Sequence, residues 1–117
     1  MAYPVELAPI TLYRGDYREL PYHFWADEAK TVPVDLSALG DTVACQARAK
    51  EDGELLAELQ VRAELAAGVL ILVITPDTWA ALAGVRSFGF DVQIGPPQAP
   101  VTVLRGSVKV EKDFTHA

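Results

Sequence analysis

Residues 10–27, ITLYRGDYRELPYHFWAD, decide how the rest of the chain is read. Residues 10–13 and 18–26 read as two β-strands joined by a tight turn at Arg14-Gly15-Asp16. Gly15 is free to take positive φ and Asp16 can bond its own backbone, which is ordinary turn chemistry. Leu20, Tyr22, Phe24 and Ala26 alternate with Glu19, Pro21, His23 and Trp25. That period of two marks a strand with one face in the core and the other in solvent. The remaining strands are expected to cover the aromatic face.

Downstream, Pro33 cannot donate to a central ladder, so residues 34–36 are expected as a brief edge strand. A loop around Gly40 leads into residues 42–50, where Val43, Cys45, Ala47 and Ala49 alternate with Gln46, Arg48 and Lys50. Glu51-Asp52-Gly53 is the strongest hairpin signal, because Asp-Gly suits the positive φ angles of tight hairpin turns. The returning strand, residues 55–61, places Leu55, Ala57, Leu59 and Val61 inward. Helix competes for residues 55–67, rich in Leu, Ala and Glu, and the hairpin turn decides for strand. Residues 69–74, VLILVI, are continuously apolar and β-branched, the pattern of a central strand buried on both faces.

The one helix expected spans residues 76–83. Thr75 suits the N-cap, Pro76 the first helical position, and Gly84 the C-terminal stop. Trp79, Leu82 and Ala83 share one face, so the helix plugs one end of the fold. Residues 86–94 place Phe88, Phe90, Val92 and Ile94 inward, with Asp91 and Gln93 outward. The stiff GPPQAP connection at 95–100 leads to a last strand at 101–112, long enough to bend near Gly106. About seven short strands with turns at this spacing predict an all-β, antiparallel β-sandwich with one short helix. Tyr22, Phe24, Phe88 and Phe90 are its expected core. Residues 1–9, with Pro4 and Pro9 and no periodicity, form an N-terminal arm; 10–113 are one domain; 114–117 fray.

At 117 residues, 50% of them hydrophobic and 22% charged, the chain is one domain with a real core. Sixteen acidic residues outnumber ten scattered basic ones, giving a net charge of −6. Binding nucleic acid requires clustered cations that displace condensed counterions, so nucleic acid is excluded as the main partner. Cys45 is the single cysteine, so no intramolecular disulfide is expected. The start lacks the basic n-region and long apolar run of a signal peptide. Residues 69–74 are too short to cross a bilayer, so no membrane partner is expected.

No chemical constellation emerges. Zinc takes about three or four Cys, His or carboxylate ligands, and His23, His116 and one thiol make a weak set. Neither metal nor cofactor is expected. Cys45 sits mid-strand on an apolar face without a partner base. The acidic pairs Asp27-Glu28 and Glu51-Asp52 lie in turns, where nothing buries them enough to shift their pKa. No glycine pattern cradles phosphate. The chain is therefore not expected to be an enzyme. Trp25 stands out: alternation turns it and His23 outward, as an anchor for a protein partner or a sugar ring, unless a loop such as 33–36 covers it. Arg14-Gly15-Asp16 spells an adhesion tripeptide, although three residues recur often by chance. The candidate interface residues are Tyr3, Arg14, Asp16, His23 and Trp25.

The series ITLYRGDYRELPYHFWAD, VPVDLSALGDTVACQARAK, GVLILVITPDTWAAL, FGFDVQI and VLRGSVKVEKDFT resembles a tailed-phage module. It is similar to the N-terminal domain of phage baseplate upper proteins, across residues 8–115. LSALGDTV carries extra residues where that family has a shorter glycine turn. The resemblance implies an immunoglobulin-like sandwich and a virion structural protein of the tail or baseplate. Such a protein is made in the host cytoplasm and docks other tail proteins as a homo-oligomer. A chain of this length leaves no room for a separate receptor-binding domain, so either a small assembled part of the virion or an excised domain is expected. A capsid decoration protein is the nearest alternative, and a carbohydrate-binding module using Trp25 the alternative from another class.

Overall fold

A computed structural model describes residues 3–49, 53–96 and 98–111. The order is β1 (Val5–Glu6), β2 (Ile10–Tyr13), β3 (Arg18–His23), β4 (Val43–Arg48), β5 (Leu55–Glu64), β6 (Val69–Ile74), α1 (Pro76–Ala81), β7 (Ser87–Ile94) and β8 (Val101–Glu111). Short 3-10 turns occupy Leu36–Leu39 and Leu65–Ala67. The chain is mostly β, one mixed sheet curled into a half-barrel with one short α-helix.

The sheet runs β1-β8-β7-β4-β5-β6-β3, with β2 also on β8. β5 turns the corner. Its first half pairs with β4, from Arg48↔Leu55 to Cys45↔Leu59, and its second half with β6, from Gln60↔Val73 to Glu64↔Val69. A strand shared in this way lets the two ends of the sheet face each other across one core. Leu12, Phe24, Leu70, Ile74, Leu82, Val92 and Val103 lie inside it, all almost fully buried. Phe88 and Phe90 are buried as expected, and Tyr22 packs against the core from a half-buried position.

Two expectations about the opening strands are corrected. Ile10–Tyr13 and Arg18–His23 do not pair as a hairpin: β2 runs parallel to β8 and β3 antiparallel to β6. The sheet is therefore mixed, not antiparallel. β8 is long enough to carry β1 and β2 end to end along its free edge, as Val5↔Leu104 and then Ile10↔Val108. Pro9, which has no N–H to give, lies in the break between them. Within the expected N-terminal arm, residues 5–6 are thus ladder-bound strand.

Elsewhere the differences are local. β3 ends at His23, and beyond it Trp25 forms an isolated bridge with Pro33. The expected edge strand at 34–36 is not formed. The Asp35 carboxylate accepts the Ser37 N–H at 3.0 Å and caps a 3-10 turn instead. Ala26, expected inward, is exposed. A register shift between Ala47 and Arg48 turns Leu55 outward, 46% exposed, while Leu56 becomes half-buried. Ala49, beyond the end of β4, is exposed as well. Residues 51 and 52 of the Asp-Gly hairpin signal lie outside the described residues, but Ala49 N–H bonds the Glu54 carbonyl across it. The expected fraying tail, with His116, also lies outside them.

β6 shows how a continuously apolar strand is covered. Leu70, Leu72 and Ile74 face the core, whereas Ile71 and Val73 lie on the other face, flanked by Arg62 of β5 and Glu19 of β3. These two side chains form an ion pair across β6, and Val73 is only 3% exposed. The turn after β5 depends on Gly68 at φ 71°, where a methyl group would meet Val34 O at 2.6 Å and Phe24 O at 2.9 Å. Only glycine fits both the left-handed backbone and that close approach.

Helix α1 forms where expected but stops at Ala81, so Ala83 is exposed while Trp79 and Leu82 are buried. Thr75 Oγ1 accepts the Thr78 N–H at 3.3 Å and Thr78 Oγ1 accepts the Thr75 N–H at 3.0 Å, a reciprocal cap.

Candidate functional site

The five residues singled out from sequence do not converge. Arg14 and Asp16 belong to the scaffold. Arg14 Nη1 and Nη2 donate to the carbonyls of Leu82 and Val85 at 3.2 and 2.6 Å, and its guanidinium lies 5.6 Å from the Trp79 ring centroid. These carbonyls follow the last turn of α1, where a cation complements the helix dipole. Asp16 contributes its carbonyl, which accepts the Trp79 indole N–H at 2.8 Å. The tripeptide is thus fastened to the helix.

His23 and Trp25 do come together. Their rings stack at 6.0 Å with an interplanar angle of 11°, His23 exposed and Trp25 half-buried. Residues 31–34 run beside them, with Ala26 N–H bonded to Val32 O and Val34 N–H to Phe24 O. Tyr3 lies edge-on to Phe24 at 6.2 Å, and burial raises its phenol pKa. Phe24 points inward, so Tyr3 sits on the core side and the His23–Trp25 pair on the other.

One wide concavity was not anticipated. It is a cleft of about 760 Å3 on the outward face of β7 and β8. Along these strands Phe88↔Val108 and Phe90↔Gly106 face inward, and Ser87↔Lys109, Gly89↔Ser107 and Asp91↔Arg105 face outward. Gly89 and Ser107 leave the middle of the outward face low, so backbone forms the floor. Glu6 at the end of β1, with Leu7 and Pro9 of the link to β2, walls one side and Arg48 with Ala49 the other. Arg86 and Lys109 close one end, Asp91 and Arg105 the other. The available signal was the small outward residues Ser87 and Gly89 of SFGFDVQI and Ser107 of VLRGSVKV, but their meeting depends on a register the sequence does not state.

The rim is cationic. Arg48 donates to Gly53 O at 3.2 Å and to Gln46 Oε1 at 2.6 Å, neutral acceptors that hold the guanidinium extended. Arg105 lies 3.7 Å from Glu6, and Lys109 lies 3.0 Å from Glu111. Among the described residues no ion pair involves Arg86. The lining holds the serine hydroxyls of Ser87 and Ser107, the carboxylates of Glu6 and Asp91, and four cationic side chains, so it offers hydrogen-bond donors and acceptors with an excess of positive charge.

A second groove, about 320 Å3, opens where the ends of the sheet approach each other. Leu7, Ile10, Leu20, Tyr22, Leu70 and Leu104 give it an almost wholly apolar lining. Cys45 lies in the core. Burial, with the Asp91 charge adding, pushes its thiol pKa up to about 12. Among the described residues no group of three or more His, Cys, Asp or Glu could hold a metal ion. No helix among them is long and apolar enough to cross a membrane.

Comparison with known proteins does not place the chain: no protein-family model matches it and no curated protein is similar to it.

Proposed function

We propose that this chain is a structural protein of a tailed-phage virion, a small tail or baseplate component that holds other tail proteins in place as a homo-oligomer. It acts by surface contact, without catalysis, cofactor, nucleic acid or membrane. The sequence resemblance to baseplate upper proteins motivates the reading. The observation that carries it is the cleft on β7 and β8: a wide, shallow, charged recess on regular strands suits a docking surface. The same proposal includes the immunoglobulin-like sandwich, for which the two facing halves joined at β5 are the supporting feature.

The experiment is size-exclusion chromatography with light scattering across a concentration series. A defined oligomer such as a trimer or hexamer is expected. A strict monomer at every concentration would refute a self-assembling tail component and shift weight to decoration of a preformed lattice. One observation favours a second reading. The stacked His23–Trp25 pair is an aromatic platform of the kind a sugar ring covers, as in a carbohydrate-binding module. Glycan titration followed by Trp fluorescence tests it, and an unchanged spectrum rules it out.

A further inference from the structure

The cleft concentrates positive charge on an acidic chain. Four of the ten basic residues, Arg48, Arg86, Arg105 and Lys109, line it, against the carboxylates of Glu6 and Asp91. The whole chain carries −6, so the surface outside the cleft is more acidic than the average. Two copies meeting cleft to cleft would bring like charges together, whereas a cleft meeting the remaining surface brings opposite charges together. The arrangement in which both copies use the same patch is therefore disfavoured, and the head-to-tail arrangement is favoured.

We infer that the cleft docks a second copy of this chain head to tail, taking an acidic segment of that copy while the copy's own cleft stays open for the next. This rests on the homo-oligomer reading above and names the surface that would build it. The low floor at Gly89 and Ser107 admits side chains of the incoming copy. Arg48 is already held in place at the wall by neutral acceptors and keeps further N–H donors for a carboxylate. Arg86 lies at one end of the cleft. Repeating such a contact produces a ring if the rotation closes and a filament if it does not.

The test combines salt with a cleft whose charge is made acidic. Raising the ionic strength from about 0.1 M to about 1 M shortens the Debye length from about 10 Å to about 3 Å. The concentration at which the chain associates is expected to rise about tenfold or more, because the contact is ionic. The double substitution R86E/S107E alters side chains that form no hydrogen bond or ion pair among the described residues, and it makes the cleft acidic. It is expected to stay monomeric with an unchanged far-UV spectrum. Mixed substoichiometrically with the unaltered chain, it still presents its acidic surface and is expected to shorten the assemblies. Assemblies of R86E/S107E like those of the unaltered chain would overturn the cleft as interface while leaving the oligomer reading intact. A mixture that leaves assembly unchanged overturns the head-to-tail arrangement. A chain monomeric at all concentrations overturns both readings. The salt titration needs no variant, so association insensitive to salt refutes the inference even if R86E/S107E fails to fold.

Discussion

The indole N–H of Trp79 donates to the main-chain carbonyl of Asp16 at 2.8 Å, tying helix α1 to the turn between β2 and β3. Arg14 completes the clasp, bonding the Leu82 and Val85 carbonyls from the same turn. The two strands flanking the turn pair with opposite ends of the sheet, so the clasp holds the half-barrel together at this end. Trp79→Phe keeps most of the apolar volume but leaves the Asp16 carbonyl without that donor. It should cost about 1–3 kcal/mol, read as a lower urea midpoint with an unchanged slope. Arg14→Lys should cost about 1.5 kcal/mol despite keeping its charge, because an ammonium cannot span two carbonyls as the guanidinium fork does. A midpoint unmoved by either change would show that the clasp does not contribute to stability.

Gly106 faces Phe90 across β7 and β8, and a methyl group there would lie 2.7 Å from Phe90 Cζ and 2.8 Å from Cε1. The ring occupies the space that a side chain would fill. Gly106→Ala should therefore destabilise the fold by about 1–3 kcal/mol through overpacking, despite removing a glycine from a strand. In the background of Phe90→Leu the same change should cost clearly less, since the obstructing ring is gone. Equal costs in the two backgrounds would show that the close approach is not the cause.

The parts of this fold that were legible in sequence are those written locally. Phe88, Phe90, Val92 and Ile94 alternate with polar or small residues and all four are buried. Thr75-Pro76 opens the helix because cap and N1 are neighbouring residues. Partner choice is not written locally. β2 has the same alternation whether it pairs with β3 or with β8, and the choice depends on an edge nearly a hundred residues away in sequence. The register shift at Arg48, which turns Leu55 outward, leaves no local mark either. For the candidate site the same limit applies more strongly. Ring stacking at His23 and Trp25 follows from their i, i+2 spacing, whereas the cleft exists only because Gly89 lies opposite Ser107 and Arg48 beside them.

Asp27 tests whether the loop beside Trp25 is ordered by one carboxylate. Its Oδ1 accepts the N–H groups of Thr31 at 3.0 Å and Val32 at 2.9 Å, and the Thr31 hydroxyl bonds Oδ2. The Thr31 hydroxyl, followed by the Val32 N–H, holds the carboxyl below the ordinary aspartate range. The lowered value means that the ionised form is favoured by folding. The contribution is present above the ordinary aspartate pKa and is lost as the pH falls through the lower folded value. Chemical-shift titration of Asp27 should give a midpoint below that of an unfolded-peptide reference. Asp27→Ala should broaden or shift the amide resonances of residues 27–34 while leaving β7 and β8 unchanged. A titration at the reference value would remove the carboxylate from this role.

Cys45 gives the opposite sign at the alkaline end. Its thiol lies 2% exposed between β5 and β7, and burial pushes its pKa up to about 12, with the Asp91 carboxylate adding. An unfolded thiol titrates near about 8.5. Between those two values the unfolded chain gives up a proton that the folded chain keeps, so stability must fall as the pH rises. The slope from this group alone approaches about 1.4 kcal/mol per pH unit. Tyrosines and lysines titrate in the same region, so the informative quantity is the difference between the unaltered chain and Cys45→Ala. The unaltered chain should lose stability faster above about pH 9, by an amount that grows until the folded thiol ionises. A thiol reagent at pH 8 should meanwhile react only as fast as the protein opens, and rapid labelling of the native chain would show that the site is neither closed nor protonated.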